Sequence, residues 1–155
     1  MSEPIIEQIA VWISDALDGK SDPDGTITLR SVRSSILNVT ELQLIHGDVL
    51  IELAGKKTKS TDMSSFRTET GTFTVAGFVS NIPDDSFADT YLIRVAETIC
   101  KFLMAGNTDA QPLNGLAESI DCPEYILMNS VGGVDVIVTC NVTYSTNIYN
   151  GFSQD

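Results

Sequence analysis

Residues 134–144 read Val-Asp-Val-Ile-Val-Thr-Cys-Asn-Val-Thr-Tyr. Val134, Val136, Val138, Cys140, Val142 and Tyr144 share one parity. Asp135, Thr139, Asn141 and Thr143 share the other, with Ile137 the apolar exception. A period of two built from β-branched residues predicts a half-buried antiparallel strand. Each large side chain on its apolar face is worth about 1.5–3 kcal/mol once covered, before chain entropy is subtracted. The cover is predicted to come from residues 86–105, where Phe87, Tyr91, Leu92, Val95, Ala96, Ile99, Phe102 and Leu103 form one helical stripe. A helix of that length spans about 30 Å, enough to lie along a strand of this size.

The rest of the chain supplies a first helix and more strands. Ile5, Ile6, Ile9, Trp12, Ile13, Ala16 and Leu17 recur at three and four, which predicts an amphipathic helix with Trp12 as a core anchor. Gly19 closes it, and residues 18–25 follow as a solvated turn dense in Asp, Gly and Pro. That turn fails as a calcium loop, because Lys20 and Ser31 stand where ligating oxygens belong. Strands are predicted over 26–35, 48–54, 66–80, 125–131 and from Val134, with Gly77 marking a bulge or a close helix approach. Residues 107–118 read as a loop.

The segment 55–65, Gly-Lys-Lys-Thr-Lys-Ser-Thr-Asp-Met-Ser-Ser, has no apolar periodicity and reads as a mobile hairpin loop. Two readings of it stand: a solvated loop whose lysines discourage edge pairing, or an arm that orders on an acidic partner. A polar tail near 146–155 carries Tyr149 and Phe152, which pack back on the domain or bind a neighbouring subunit. The fold class is therefore α+β: a single domain over 1–155, a mainly antiparallel sheet with two helices packed on one face.

Charge excludes some functions. The chain carries a net −12, the wrong sign for a nucleic-acid binder, which needs clustered cations against phosphate. Residues 1–67 hold seven Lys/Arg and ten Asp/Glu, and residues 68–155 hold two and eleven. The few cations gather at Arg30, Arg33, Lys56, Lys57, Lys59 and Arg67. No apolar run approaches the roughly 18–20 residues of a membrane span, and the acidic N-terminus does not resemble a signal peptide. Cys100, Cys122 and Cys140 are odd in number and far apart in sequence, which reads as small core filler in a reducing cytosol.

Catalytic chemistry is sparsely signalled. One histidine, His46, stands without partners at metal-ligand spacing. No GxSxG, P-loop or GxGxxG occurs, and the paired acids Asp84-Asp85 and Asp22-x-Asp24 sit where capping or a turn explains them. The reading is a non-enzyme without a cofactor or a metal.

The order of elements resembles the tail terminator proteins of long-tailed bacteriophages. The likeness runs over nearly the whole chain: the helix Ile5–Leu17, the strand from Thr26, the pair Asp48–Ala54 and Thr72–Val79, the helix Phe87–Leu103, and the last strand closing in Val-Thr-Tyr144. It is a likeness of pattern, with no short diagnostic motif. It implies a structural protein of the virion tail, assembled in the host cytoplasm, that caps the tail tube. Its partners would be further copies of itself in a ring, commonly of six, the tail tube protein, and a head-tail connector or neck protein. Arg30, Arg33, Lys56, Lys57, Lys59 and Arg67, with Tyr149 and Phe152, are the candidate contacts to a neighbour or to the tube. The alternative is a non-catalytic binding module, or another connector or minor tail component, working as a monomer or dimer.

Overall fold

The structure, a computed structural model, describes residues 3–32, 47–61, 66–79, 88–108, 112–130, 133–147, 151–152 and 154, with backbone alone at 59–61, 88–89, 129–130 and 133–135. The elements run α1 (Ile5–Leu17), β1 (Arg30–Val32), β2 (Asp48–Thr61), β3 (Phe66–Val79), α2 (Ala88–Met104), two 3₁₀ turns (Ala105–Thr108, Pro112–Gly115), β4 (Ser119–Ser130) and β5 (Gly133–Asn147). The five strands form one sheet in the order β1-β2-β3-β5-β4. Only the β1–β2 pair is parallel, through Arg30↔Asp48 to Val32↔Leu50. The class is the α+β one that the alternation at 134–144 predicts.

The alternating face is the core. Val136, Val138, Cys140 and Val142 are fully buried and Tyr144 nearly so. They pair across the sheet with Gly77, Val75, Phe73, Gly71 and Glu69 of β3. Both helices pack on this side. A methyl group on Gly71 would touch Ile6 of α1, and one on Gly77 would come within 2.7 Å of Val95 and 3.0 Å of Val136. Gly77 is therefore the point of close helix approach, and the ladder runs through it without a shift. The register shifts lie instead in β2, at Ala54 between Leu53↔Phe73 and Gly55↔Thr72 and at Lys59 between Thr58↔Glu69 and Ser60↔Thr68.

Helix ends show how the chain closes on itself. The Pro4 carbonyl accepts from Glu7 and Gln8, while the Ile5 N–H, an orphan of the first turn, donates to the Gly151 carbonyl at 3.0 Å. Gln154 Nε2 donates to the Leu116 carbonyl at 2.9 Å. Gly151 and Gln154 thus tie the C-terminal tail to its own domain, while Phe152 is exposed and Tyr149 lies outside the described residues. At the other end of α1, Gly19 takes φ +75° and donates to the Leu29 carbonyl. Trp12 is half-buried against the core, its ring against Gly106, where a Cβ would meet Cη2 at 2.7 Å.

Three expectations change. The mobile loop over 55–65 is strand as far as Thr61, paired with β3 from Gly55↔Thr72 to Thr61↔Arg67. Gly55, Lys57 and Ser60 pair with Thr72, Thr70 and Thr68, and Thr58 and Thr61 with Glu69 and Arg67, a ladder polar on both sides, so no apolar period announces it; residues 62–65 lie outside the described ones. The strand over 26–35 contracts to Arg30–Val32 plus a single bridge, Ser21↔Thr28, and its continuation past Val32 lies outside the described residues. β4 begins six residues earlier than the apolar run, at Ser119, because Asn107 supplies a backbone-like pair of hydrogen bonds to Ile120 at 2.7 and 2.9 Å. Residues 86 and 87, where the second helix is expected to start, and His46 also lie outside the described residues.

Because two β-branched neighbours, Val95 of α2 and Val136 of β5, fill the space over Gly77, Gly77→Ala is expected to lose about 1–3 kcal/mol in urea unfolding. Gly55→Ala, with nothing within 4 Å of the new methyl, is expected to change stability by less than about 0.5 kcal/mol. Equal losses at the two sites would show that helix contact at Gly77 is not what requires glycine.

Candidate assembly surface

The cations singled out in the sequence divide by what they face. Arg30 forks onto Asp48 across the parallel pair, Nε to Oδ1 and Nη2 to Oδ2 both at 2.7 Å, with Asp48 only 1% exposed. Lys56 and Arg67 converge on Glu69, which is also 1% exposed, with Nζ 3.1 Å and Nε 2.8 Å from Oε1. Neither is aligned as a hydrogen bond; the Arg67 Nε–H aims at Thr146 Oγ1, 3.3 Å away. Beside them, burial first and then the Glu69 charge push the Tyr144 hydroxyl up. Arg30, Lys56 and Arg67 therefore hold carboxylates of their own chain. Lys57 is exposed, on the opposite face from Lys56, and makes no ion pair among the described residues. Lys59 lies in β2 with its backbone alone described, and Phe152 is 51% exposed. Arg33 and Tyr149 lie outside the described residues.

Sequence reasoning missed the two sheet edges. Among the described residues β1 covers β2 as far as Leu50, and no described strand pairs with the outer side of β2 from Ile51 to Thr61. β4 is the other edge. The first carries Lys56 and Lys57, with one acid, Glu52, all exposed. The second carries Glu118, Asp121 and Glu124 in or beside it, all exposed. Exposed large apolar side chains cluster on the same two strands: Leu53 at 51% on β2, and Ile126, Leu127 and Met128 at 54%, 38% and 45% on β4. Beside Leu53 an open apolar groove of about 290 Å³ lies between α1 and β2, lined by Pro4, Ile6, Glu7, Ala10, Ile51, Leu53 and Phe73. The legible signal was the run Tyr-Ile-Leu-Met at 125–128, apolar on both parities in a strand with nothing beyond it.

A second concavity, about 450 Å³, is lined by Asp22, Pro23, Asp24, Arg94, Glu97, Thr98 and Lys101. Asp22 is buried, not solvated as its turn suggests. Burial alone would raise its carboxyl. Hydrogen bonds from Thr26 Oγ1 at 2.6 Å and the Ile27 N–H at 3.0 Å outweigh that, with Arg94 Nη1 at 3.3 Å, and hold it below its usual value. Arg94 also pairs with Asp24 at 2.5 Å. The acids are thus occupied in pinning the 22–26 turn to α2.

The three cysteines, far apart in sequence, converge from α2, the β4 irregularity between Asp121 and Glu124, and β5. A hydrogen bond to Cys122 and then burial push Cys100 up. Cys122, which the bond to Cys100 alone would lower, is pushed up to about 12 by Cys140 and burial. Protonated thiols of this kind are inert filler. Among the described residues, no group of three His, Cys, Asp or Glu is arranged to hold a metal ion.

No protein-family model matches the chain, and no curated protein matches its sequence.

Two outcomes follow from these charges. Arg67→Ala leaves Glu69 with Lys56 alone. Breaking a fully buried pair costs about 3–5 kcal/mol; Arg67 keeps 28% of its side chain in water, so about 2 kcal/mol is expected. The loss is largely relieved in Arg67→Ala/Glu69→Gln, read by a double-mutant cycle. For Asp22, a folded value below the unfolded one, near 3.9, gives stability that is present above about pH 4 and lost as pH falls through the folded value. Thermal melts of the wild type are expected to fall more steeply below about pH 4 than those of Asp22→Asn. Parallel curves would remove this carboxylate from the acid response.

Proposed function

We propose that this chain is a structural protein of the long-tailed bacteriophage virion, one that caps the tail tube as an oligomeric ring, ends tail growth and presents the joint to the head or neck. The observation that carries the reading is the order of its elements: a first helix, a short strand, a long two-stranded arm (β2–β3), a covering helix and a closing hairpin (β4–β5). That is the order on which the resemblance to tail terminators rests. A ring builder works without catalytic groups and requires unlike surfaces on opposite sides of each copy. The cationic β2 and the acidic β4 at opposite sides of one sheet meet that requirement. Its partners in this reading are copies of itself, six in the family, the tube protein and a neck protein. Its place is the virion tail after assembly in the host cytoplasm.

The apolar groove between α1 and β2 favours a second reading, a non-catalytic binding module or connector that takes an extended peptide as a monomer or dimer. Light scattering with negative-stain imaging across salt concentration separates the two. Rings of about six subunits that end isolated tail tubes are the expected result. A monomer or dimer that leaves tube growth unchanged gives the binding module its place.

A further inference from the structure

We infer that copies of this chain join by sheet extension: the outer edge of β4 in one copy adds, antiparallel, to the edge of β2 past Leu50 in the next, which no described strand covers. The inference names the contact for the ring proposed above and rests on that reading for its closure.

Strand direction is the first argument. β2–β3, β3–β5 and β5–β4 are all antiparallel, so β2 and β4 run in opposite senses. An antiparallel β4–β2 contact continues the alternation and leaves every copy pointing the same way. A rotation axis relating the copies demands that. Pairing β2 with β2, or β4 with β4, turns the neighbour over instead.

Charge and apolar content then choose among the possible contacts. Two β2 edges bring lysines together and two β4 edges bring carboxylates together, each a repulsive juxtaposition. β4 on β2 instead places the carboxylates of β4 opposite the lysines of β2. Exposed apolar side chains on an edge strand mark a place where another strand pairs, and Leu53 on one edge and Ile126, Leu127 and Met128 on the other are such side chains.

Register follows from the faces. Leu53 and Leu127 both lie on the helix-bearing side of the sheet, since they pair with Phe73 and Val136. With Leu127 opposite Leu53 of the next copy, it enters the groove beside Ile6 and Ala10. Ala54 is the extra residue of the first β2 register shift, so Gly55 then faces Ile126 and Lys57 faces Glu124. Lys57 and Glu124 both point to the opposite side of the sheet, since they pair with Thr70 and Thr139. Both are exposed and neither has an ion pair among the described residues. Beyond this stretch Asn107 already occupies the β4 edge at Ile120, which limits the seam to the later residues of β4.

The test mixes full-length Leu53→Cys with full-length Leu127→Cys under a mild oxidant and maps disulfides by peptide mass spectrometry, with wild type controlling for the native thiols. A cross-link between the two introduced thiols, in the mixture and in neither variant alone, is expected. Separately, Lys57→Glu and Glu124→Lys are each expected to weaken self-association about three- to tenfold at low salt, and the double swap to restore it. Rings without this cross-link overturn the edge contact and leave the ring reading standing. The cross-link with open filaments supports the edge contact and overturns the closed ring. A protein that stays monomeric at every concentration, without the cross-link, removes both.

Discussion

One constraint organises the molecule: the apolar face of the β3–β5 ladder must be covered, and α2 covers it at a point where the sheet has no side chain. The ladder registers without a shift from Phe66↔Asn147 to Val79↔Val134, so its inner face is continuous. Gly77 leaves a gap in that face into which Val95 and Ile99 settle. Packing at interior density then fixes the helix axis within a fraction of a side chain. Everything downstream of α2 inherits that position: the cysteine contact with β4, the salt-bridged turn at Asp22, and the start of β4 at the Asn107 clamp.

The covered face extends further than the apolar cover does. Past Gly71 and Val142 the same parity places Glu69, Arg67 and Lys56 on the core side, and there burial is met with paired charge. The net energy of such a group is small, since desolvation offsets attraction. Its effect on register is larger. A one-residue slip of β2 would send Lys56 to the other face and leave Glu69 short of a cation. The arm made by β2 and β3 is therefore held in register by an ion pair at its far end and by apolar side chains at its near end. That makes it a rigid extension of the sheet and presents Lys57 at a fixed place.

A sheet of this order leaves two edges, and the chain treats them differently. One is shielded for three residues by a parallel strand, and beyond them no described strand covers it beside an apolar groove. The other is clamped at its start by Asn107 and then carries consecutive exposed apolar residues. Charge on both edges discourages pairing of like with like. The proposed assembly uses that selectivity, whatever number of copies closes the ring.

The strongly periodic parts of the fold were legible without coordinates. The described parts of the alternation, Val136 to Tyr144, and of the two helical stripes, Ile5–Leu17 and Leu92–Leu103, each have one buried face, and burial of one face is what writes a period into a sequence. The β2 arm was not legible, because a ladder exposed on both sides imposes no such pattern, and Lys-Lys-Thr-Lys reads as loop. The candidate surface was half legible. The cations were visible as residues, but which ones stay available depended on carboxylates placed across the sheet. Arg67 is two residues from Glu69, whereas Lys56 and Arg30 meet Glu69 and Asp48 only once strands are registered. The sequence by itself determined the class of fold and its core, through hydrophobic periodicity. Only the tertiary structure decided which charges are spent inside the chain and which edges remain open, because both depend on pairings between residues far apart in sequence.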